Sequence, residues 1–167
     1  LSYDYLILSP GAEPLRPPLP GIDEEGIFSL RSIPDTDRIY GYLQSRNVRK
    51  AVVVGAGYIG LEMAENLQHR GVDVTVVELA PQVLPPIDSD LAALVQQYLR
   101  ALGMNMRLGS AVIRFERQDD HALEVELSSG EKLKADLVLL SIGVKPEITL
   151  AQEAGLEVNR GIKVNER

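Results

Sequence analysis

Ala51-Val52-Val53-Val54-Gly55-Ala56-Gly57-Tyr58-Ile59-Gly60-Leu61-Glu62, followed by Val74-Thr75-Val76-Val77-Glu78, decides the fold of this chain. A continuous β-branched run reads as a strand buried on both faces, and Leu61, Ala64 and Leu67 then recur at helical spacing. The glycines sit where the chain must turn from strand to helix. Gly55 permits the tight turn, Gly57 lets backbone approach a pyrophosphate closely, and Gly60 lets the helix pack on the sheet. Free amides and the positive end of the helix dipole then face one point, so an anion is favoured there without a lysine or arginine. Glu78 ends the next strand, where a carboxylate accepts hydrogen bonds from an adenosine ribose. The reading is a dinucleotide-binding βαβ unit.

A lone GxGxxG is weak evidence, but here strand, helix and terminal acid occur together. A carboxylate at Glu78 suits a free 2′-hydroxyl and repels a 2′-phosphate, and residues 79–90 contain no arginine or lysine to reverse this. Between the nicotinamide cofactors NADH is favoured over NADPH, while NAD and FAD share this phosphate fingerprint and are ranked only by context.

The fingerprint and the stretch Val77-Glu78-Leu79-Ala80-Pro81-Gln82-Val83-Leu84-Pro85-Pro86-Ile87-Asp88 resemble the nicotinamide-binding domain of FAD-dependent pyridine nucleotide-disulfide oxidoreductases. Coenzyme A-disulfide reductases and NADH oxidases or peroxidases are the most similar branch. Tyr5-Leu6-Ile7-Leu8-Ser9-Pro10-Gly11-Ala12 is similar to the strand and Ala-Thr-Gly segment linking that family's flavin domain to its nicotinamide domain, here with Ser-Pro-Gly. Residues 137–146 resemble its returning strand and Gly-x-x-Pro turn, with Glu147 where asparagine is common.

The resemblance implies an α/β, Rossmann-like three-layer domain: a parallel sheet, with a three-stranded antiparallel meander replacing one crossover helix. It divides the chain into 1–21, a flavin-domain strand and proline-rich connector; 22–150, the NAD(H)-binding domain; and 151–167, the start of the return to the flavin domain. The implied parent enzyme passes hydride from nicotinamide to FAD, which then reduces a disulfide, oxygen or peroxide. No FAD fingerprint, redox cysteine or interface domain is found in the sequence. The expectation is therefore a fragment that is inactive alone, partnered by the flavin and interface domains of a parent homodimer. Two other classes are weighed: a non-catalytic NAD(H)-sensing regulatory domain, which would usually bring a DNA-reading element, and a methyltransferase-like adenosine-cofactor fold, which the meander disfavours.

Composition fits one folded domain: 167 residues, 45% hydrophobic. A net charge of −7 argues against nucleic acid and anionic membranes as partners. No apolar run is long enough for a bilayer and no signal peptide is visible, so a cytoplasmic location is expected. With no cysteine, disulfides and thiolate metal sites are excluded; His69 and His121 lack companion ligands, so no metal site is expected.

Along the chain, residues 1–20 read as a strand and then an extended connector with Pro14, Pro17, Pro18 and Pro20, poorly ordered if isolated. Residues 35–46 read as a helix capped by Asp35 after Pro34, and Gly71 ends the helix of the fingerprint. Residues 88–102 give the clearest helix, with Asp88 as N-cap and Gly103 beyond its end; Leu91, Leu94, Val95, Tyr98, Leu99 and Leu102 form a stripe read as core. A strand near 104–108, a meander over 111–117, 122–127 and 131–135, and a buried strand over 137–142 follow.

The expected cofactor-binding residues are Gly55, Gly57, Tyr58, Ile59, Gly60, Glu62, Glu78, Ile142 and Gly143, with no catalytic residue in this piece. By resemblance, Tyr58 covers the flavin until nicotinamide arrives; an aromatic at that helix start would equally pack on a neighbouring domain. Glu62 corresponds to a glutamate near the nicotinamide amide and a flavin-domain lysine, although the helix dipole alone favours an acid there. Ile59 offers a backbone contact. Ile142 and Gly143 lie against the nicotinamide half, at the carboxyl ends of parallel strands where ligands of open α/β sheets sit. Pro146 is read as shaping a loop, and Glu13, Asp23, Glu24, Glu25, Asp119 and Asp120 as solvated surface.

Overall fold

In a computed structural model describing residues 2–118 and 122–166, the chain forms three layers. The middle layer is a parallel sheet of β2 (Ile27–Ser29), β9 (Leu137–Leu140), β3 (Lys50–Val54), β4 (Asp73–Glu78) and β5 (Asn105–Leu108), in that spatial order. One face carries the helices α1 (Ile33–Ser45), α2 (Tyr58–His69) and α3 (Ser89–Ala101); the other carries the antiparallel meander β6 (Val112–Arg117), β7 (Leu123–Leu127) and β8 (Lys132–Ala135).

The unbroken valine run of β3 follows from this arrangement. Ala51 and Val53 face the helices among Leu61, Ala64 and Leu67, while Val52 and Val54 face the meander among Val112, Phe115 and Val125. Both faces of the strand are dry, so period-two alternation disappears. The meander strands have one covered face and alternate: Leu123, Val125 and Leu127 are buried, and Glu124 and Glu126 point outward.

Helix ends obey local chemistry. Helix α1 begins two residues before the expected start, with Ser32 rather than Asp35 as N-cap. Asp35 occupies the third helical position, and its carboxylate accepts from the Ser32 amide (2.8 Å), the Ser32 hydroxyl (2.8 Å) and the Arg31 amide (3.0 Å), closing a capping box. Desolvation raises its pKa, but these donors and the Arg38 guanidinium outweigh it and hold the carboxyl below the usual range. Gly71 ends α2 at φ +81°, as expected. Past α3, Gly103 takes φ +87° and the Met104 amide returns to the Leu99 carbonyl.

The stripe on α3 is only half core. Ala92 and Leu99 are buried with Val95 and Leu102 packed beside them, whereas Leu91, Leu94 and Tyr98 are 55, 63 and 55% exposed. The helix is rotated so that small Ala92 makes the close approach. A stripe six residues wide has two edges, and only one meets the sheet.

The N-terminal segment also departs from expectation. Tyr5, Leu6 and Ile7 are exposed and form no strand, since no described strand lies beside them. Pairing begins at β1 (Ala12–Pro14), antiparallel to β10 (Val144–Pro146), so Pro146 sits in a strand opposite Ala12 rather than in a loop. The proline connector packs: the Pro20 carbonyl accepts from Phe115, and Leu19 and Ile22 join the meander core. Helix α4 (Thr149–Glu153) follows β10 and straddles residue 150. The acids near the connector form ion pairs, Arg16 with Asp23, Arg117 with Glu24, Arg46 with Glu25 and Arg31 with Glu13. His69 is exposed at the end of α2; Asp119, Asp120 and His121 lie outside the described residues.

Candidate dinucleotide site

The site is built where β3, β4 and β9 end. The three fingerprint glycines meet different demands. Gly55 takes φ +104°, and a Cβ on it would stand 2.2 Å from the Ser141 carbonyl oxygen, so turn and packing both require glycine. At Gly60 a Cβ would stand 2.0 Å from the Gly55 carbonyl oxygen, because α2 lies directly on the turn. Gly57 differs from both: its φ is −79°, and a Cβ there would meet nothing within 4 Å. As N-cap of α2 it brings no side-chain acceptor, leaving the first-turn amides without the usual cap.

Glu78 anchors the other side of the turn. One carboxylate oxygen accepts from the Ala56 amide (2.7 Å) and the other from the Ala80 amide (2.8 Å), so Glu78 bridges the glycine turn and the loop after β4. Each oxygen keeps acceptor capacity for a further donor. That loop is tied again by the Leu84 amide, which donates to the Ala56 carbonyl (2.8 Å) while Leu84 holds φ +47°. A non-glycine residue in the left-handed region beside a binding site is stored strain held by surrounding contacts, here the burial of Val83 and Leu84.

A cavity of about 600 Å³ opens beside these groups. Gly55, Gly57, Glu78, Ile142 and Gly143 line it, and its remaining wall is mostly apolar, with Leu19, Leu79, Pro85, Val112 and Phe115. A smaller one of about 200 Å³ adjoins it, lined by Gly57, Tyr58, Ile59, Gly143 and Val144. The two share Gly57, Leu140, Ser141 and Gly143, so one elongated ligand could lie across both. Gly143 takes φ +104°, which explains its glycine without a ligand. Tyr58 is 64% exposed at the start of α2. Glu62 stands exposed one turn into that helix and lines neither cavity, and Gly60 is buried beneath the turn.

Sequence reading alone missed Leu79, Pro85, Ser110, Ala111 and the connector residues Pro17 and Leu19, all lining the larger cavity. Only Leu79 had a local signal, standing next to Glu78. The others arrive through the loop after β4, the β5–β6 junction and the connector. Among the described residues no group of three acids or histidines is placed to hold a metal ion, and no helix is long and apolar enough to cross a membrane.

A strand-turn-helix fingerprint, a parallel sheet and a meander in place of one crossover helix define a Rossmann-type α/β domain. The chain belongs to the pyridine nucleotide-disulphide oxidoreductase family, whose profile matches residues 1–167. It is 42% identical over 169 residues to an NADH oxidase of Methanocaldococcus jannaschii, covering 100% of this chain and 37% of that protein. Reduced CoADR-RHD of Bacillus anthracis superposes with a TM-score of 0.89 at 45% identity, over 95% of this chain and 28% of the other. The water-forming NADH oxidase of Lactobacillus brevis bound to NADH superposes at 0.83 with 28% identity, over 92% and 33%. Its engineered NADPH oxidase variant bound to NADPH gives 0.84 at 27%, over 92% and 34%. The chain thus spans well under half the length of each of these proteins.

Proposed function

We propose that this chain is the NAD(H)-binding domain of a flavin-dependent oxidoreductase, holding nicotinamide against a flavin supplied by residues outside 22–150. Gly57 carries the reading. Gly55 and Gly60 are glycines because the fold leaves no room for a side chain; Gly57 has both room and an ordinary φ, so its bareness serves a ligand. In this reading the pyrophosphate rests on the α2 amides, the adenosine ribose on Glu78, and the nicotinamide half extends past Ile142 and Gly143 toward Tyr58 and Ile59. When bound, the dinucleotide would supply hydride chemistry to a flavin of the parent, whose onward acceptor would be a disulfide, oxygen or peroxide. The chain's own work is binding and orientation: its turn is already fixed by Glu78 and Leu84, so little ordering remains for the ligand to impose.

The exposed apolar groups Tyr58, Ile59, Ile142 and Val144 gather at the nicotinamide end, which suits a covering flavin domain. Preference for NADH draws support from the Lactobacillus brevis pair. The five substitutions that distinguish the engineered NADPH oxidase have the mutual spacing of Gly60, Glu78, Leu79, Ala80 and Pro85 in this chain, and at the Glu78 spacing an acid is replaced by alanine. Glu78 therefore selects a free 2′-hydroxyl. Parallel calorimetric titrations with NADH, NADPH and FAD test the proposal. NADH is expected to bind tightest; preferential binding of FAD would overturn it, and NADPH binding as tightly as NADH would remove the selective role of Glu78.

A further inference from the structure

The connector Leu15-Arg16-Pro17-Pro18-Leu19-Pro20-Gly21 separates two hollows. Pro17 and Leu19 line the larger cavity, Arg16 beside them lines a polar hollow with Asp23, Ser29 and Arg31, and the two have no lining residue in common. A segment so rich in proline could as readily cross the surface as an extended linker. Here it is fastened at each end. The Leu15 amide donates to the Gly143 carbonyl at 2.9 Å, and the Pro20 carbonyl accepts from the Phe115 amide at 2.9 Å. Gly21 then turns at φ +77°, where a Cβ would stand 2.0 Å from the Phe115 carbonyl oxygen.

Between those fastenings a side chain holds the segment as well. Nη2 of Arg16 donates to the Ile22 carbonyl at 2.8 Å and to the Asp23 carboxylate at 3.2 Å, and Nη1 reaches the Ser29 hydroxyl of β2 at 3.4 Å. The guanidinium fork thus closes residues 16–22 into a loop and ties that loop to the edge of the parallel sheet. Pro17 and Leu19 stand on the cavity side of the loop, with Leu19 also packed against the meander core. The exposed contact between Arg16 and Asp23 contributes little by itself; the bond to the Ile22 carbonyl closes the loop. We propose that the connector is a wall of the ligand cavity and that Arg16 is the positioning residue that holds this wall in place. A wall fixed in advance spares the ligand the cost of ordering it. This rests on the dinucleotide reading given above for the identity of the ligand.

Calorimetric titrations with NADH at physiological salt compare wild type with Arg16→Met, Arg16→Lys, Leu19→Ala, the double variant of Arg16→Met with Leu19→Ala, and Arg46→Met. Arg46 pairs with Glu25 and lines neither the larger cavity nor its smaller neighbour, so its loss controls for the lost positive charge. Arg16→Met and Leu19→Ala are each expected to weaken NADH binding about three- to tenfold. The double variant should bind about as weakly as the worse single one, and Arg46→Met as wild type does. Arg16→Lys keeps the charge without the fork, so it should resemble Arg16→Met. Wild-type affinity in Arg16→Met or Arg16→Lys overturns the inference, as does an equal loss in Arg46→Met. So does a double variant whose loss is the product of the single losses, since Arg16 would then act independently of the wall. Hydrogen exchange over residues 15–22, followed by mass spectrometry without ligand, reads the Arg16 fastening by itself. Exchange should quicken in Arg16→Met and not in Arg46→Met, and unchanged exchange in Arg16→Met overturns the inference whether or not NADH binds. A wild-type chain that binds no NADH sinks the dinucleotide reading itself, a failure distinct from these.

Discussion

Replacing Gly55 and Gly57 separately by alanine should split stability from binding. At Gly55 the new methyl carbon would lie 2.2 Å from a backbone oxygen, with φ at +104°. Left-handed strain for a non-glycine residue is of order 1–3 kcal/mol, and overpacking against an immobile neighbour adds about 1–3 kcal/mol. Their sum is centred near 4 kcal/mol, or a fall in melting temperature of roughly 10 °C for a domain of this size. At Gly57 the methyl meets nothing and φ is ordinary. Losing a glycine N-cap costs a few tenths to about 1 kcal/mol, and the reduced freedom of the unfolded chain returns about 0.4–1 kcal/mol. Gly57→Ala should therefore melt within about 3 °C of wild type. Its NADH affinity should fall at least about tenfold, a loss of about 1.4 kcal/mol, because in the proposed pose the methyl would occupy the pyrophosphate's place. Thermal unfolding followed by circular dichroism and calorimetric titration of the same samples measure both quantities. The reasoning fails if Gly57→Ala loses as much stability as Gly55→Ala, for then the fold needs that glycine. It fails equally if the variant is stable and binds NADH as wild type does.

Other perturbations discriminate further parts of the account. Glu78→Ala removes the acceptor for two amides, so it should lose about 1–2 kcal/mol of stability as well as NADH affinity; unchanged affinity would take Glu78 out of the site. Replacing Glu78 by alanine and Leu79 by arginine together should shift the ratio of NADH to NADPH affinity toward NADPH, read from paired titrations, and a ratio still favouring NADH to the wild-type degree would refute the selectivity argument. The carboxyl of Asp35 is held below its ordinary 3.8 in the folded chain. Its contribution to stability is thus complete above the ordinary value and lost as pH falls through the lower, folded one. The melting-temperature gap between wild type and Asp35→Ala should accordingly close in strong acid, and a constant gap would mean that the capping charge is irrelevant. Arg107 grips Glu131 with two nitrogens and ties edge strand β5 to the β7–β8 turn. As a solvent-exposed pair it contributes little, so Glu131→Gln should lower the melting temperature slightly at low salt, with the difference shrinking at 1 M salt, where screening acts within about 3 Å.

Legibility followed the range of the interactions. Turn, helix and acid of the fingerprint lie within one short stretch and constrain each other, so β3, α2 and β4 were readable together with their glycines and Glu78. The meander was readable because its strands alternate and two turns punctuate it. By contrast, β2 has only Ile27-Phe28-Ser29, and it becomes a strand through pairing with β9, far along the chain. The β1–β10 ribbon likewise joins residues that no local pattern connects, each half carrying a proline that argues against a central strand. Tyr5 to Leu8 show the converse: strong strand propensity, no partner among the described strands, and no strand.

The helix α3 and the cavity expose the same limit from two sides. Periodicity identifies which residues share a face, and it ranks them by hydrophobicity; it contains no information about the angle at which that face is seated. Ala92, a small residue outside the leucine stripe, is fully buried because its small side chain lets the helix approach, and the larger Leu91 and Leu94 are turned outward. At the cavity, Ser110 has no sequence signature either, being a small polar residue after a glycine in a strand junction. It reaches the cavity because the Glu78 carbonyl holds its amide at the end of β5. The motif marks residues close together in sequence, whereas the cavity wall from the connector and the β5–β6 junction is brought in only by the three-dimensional arrangement.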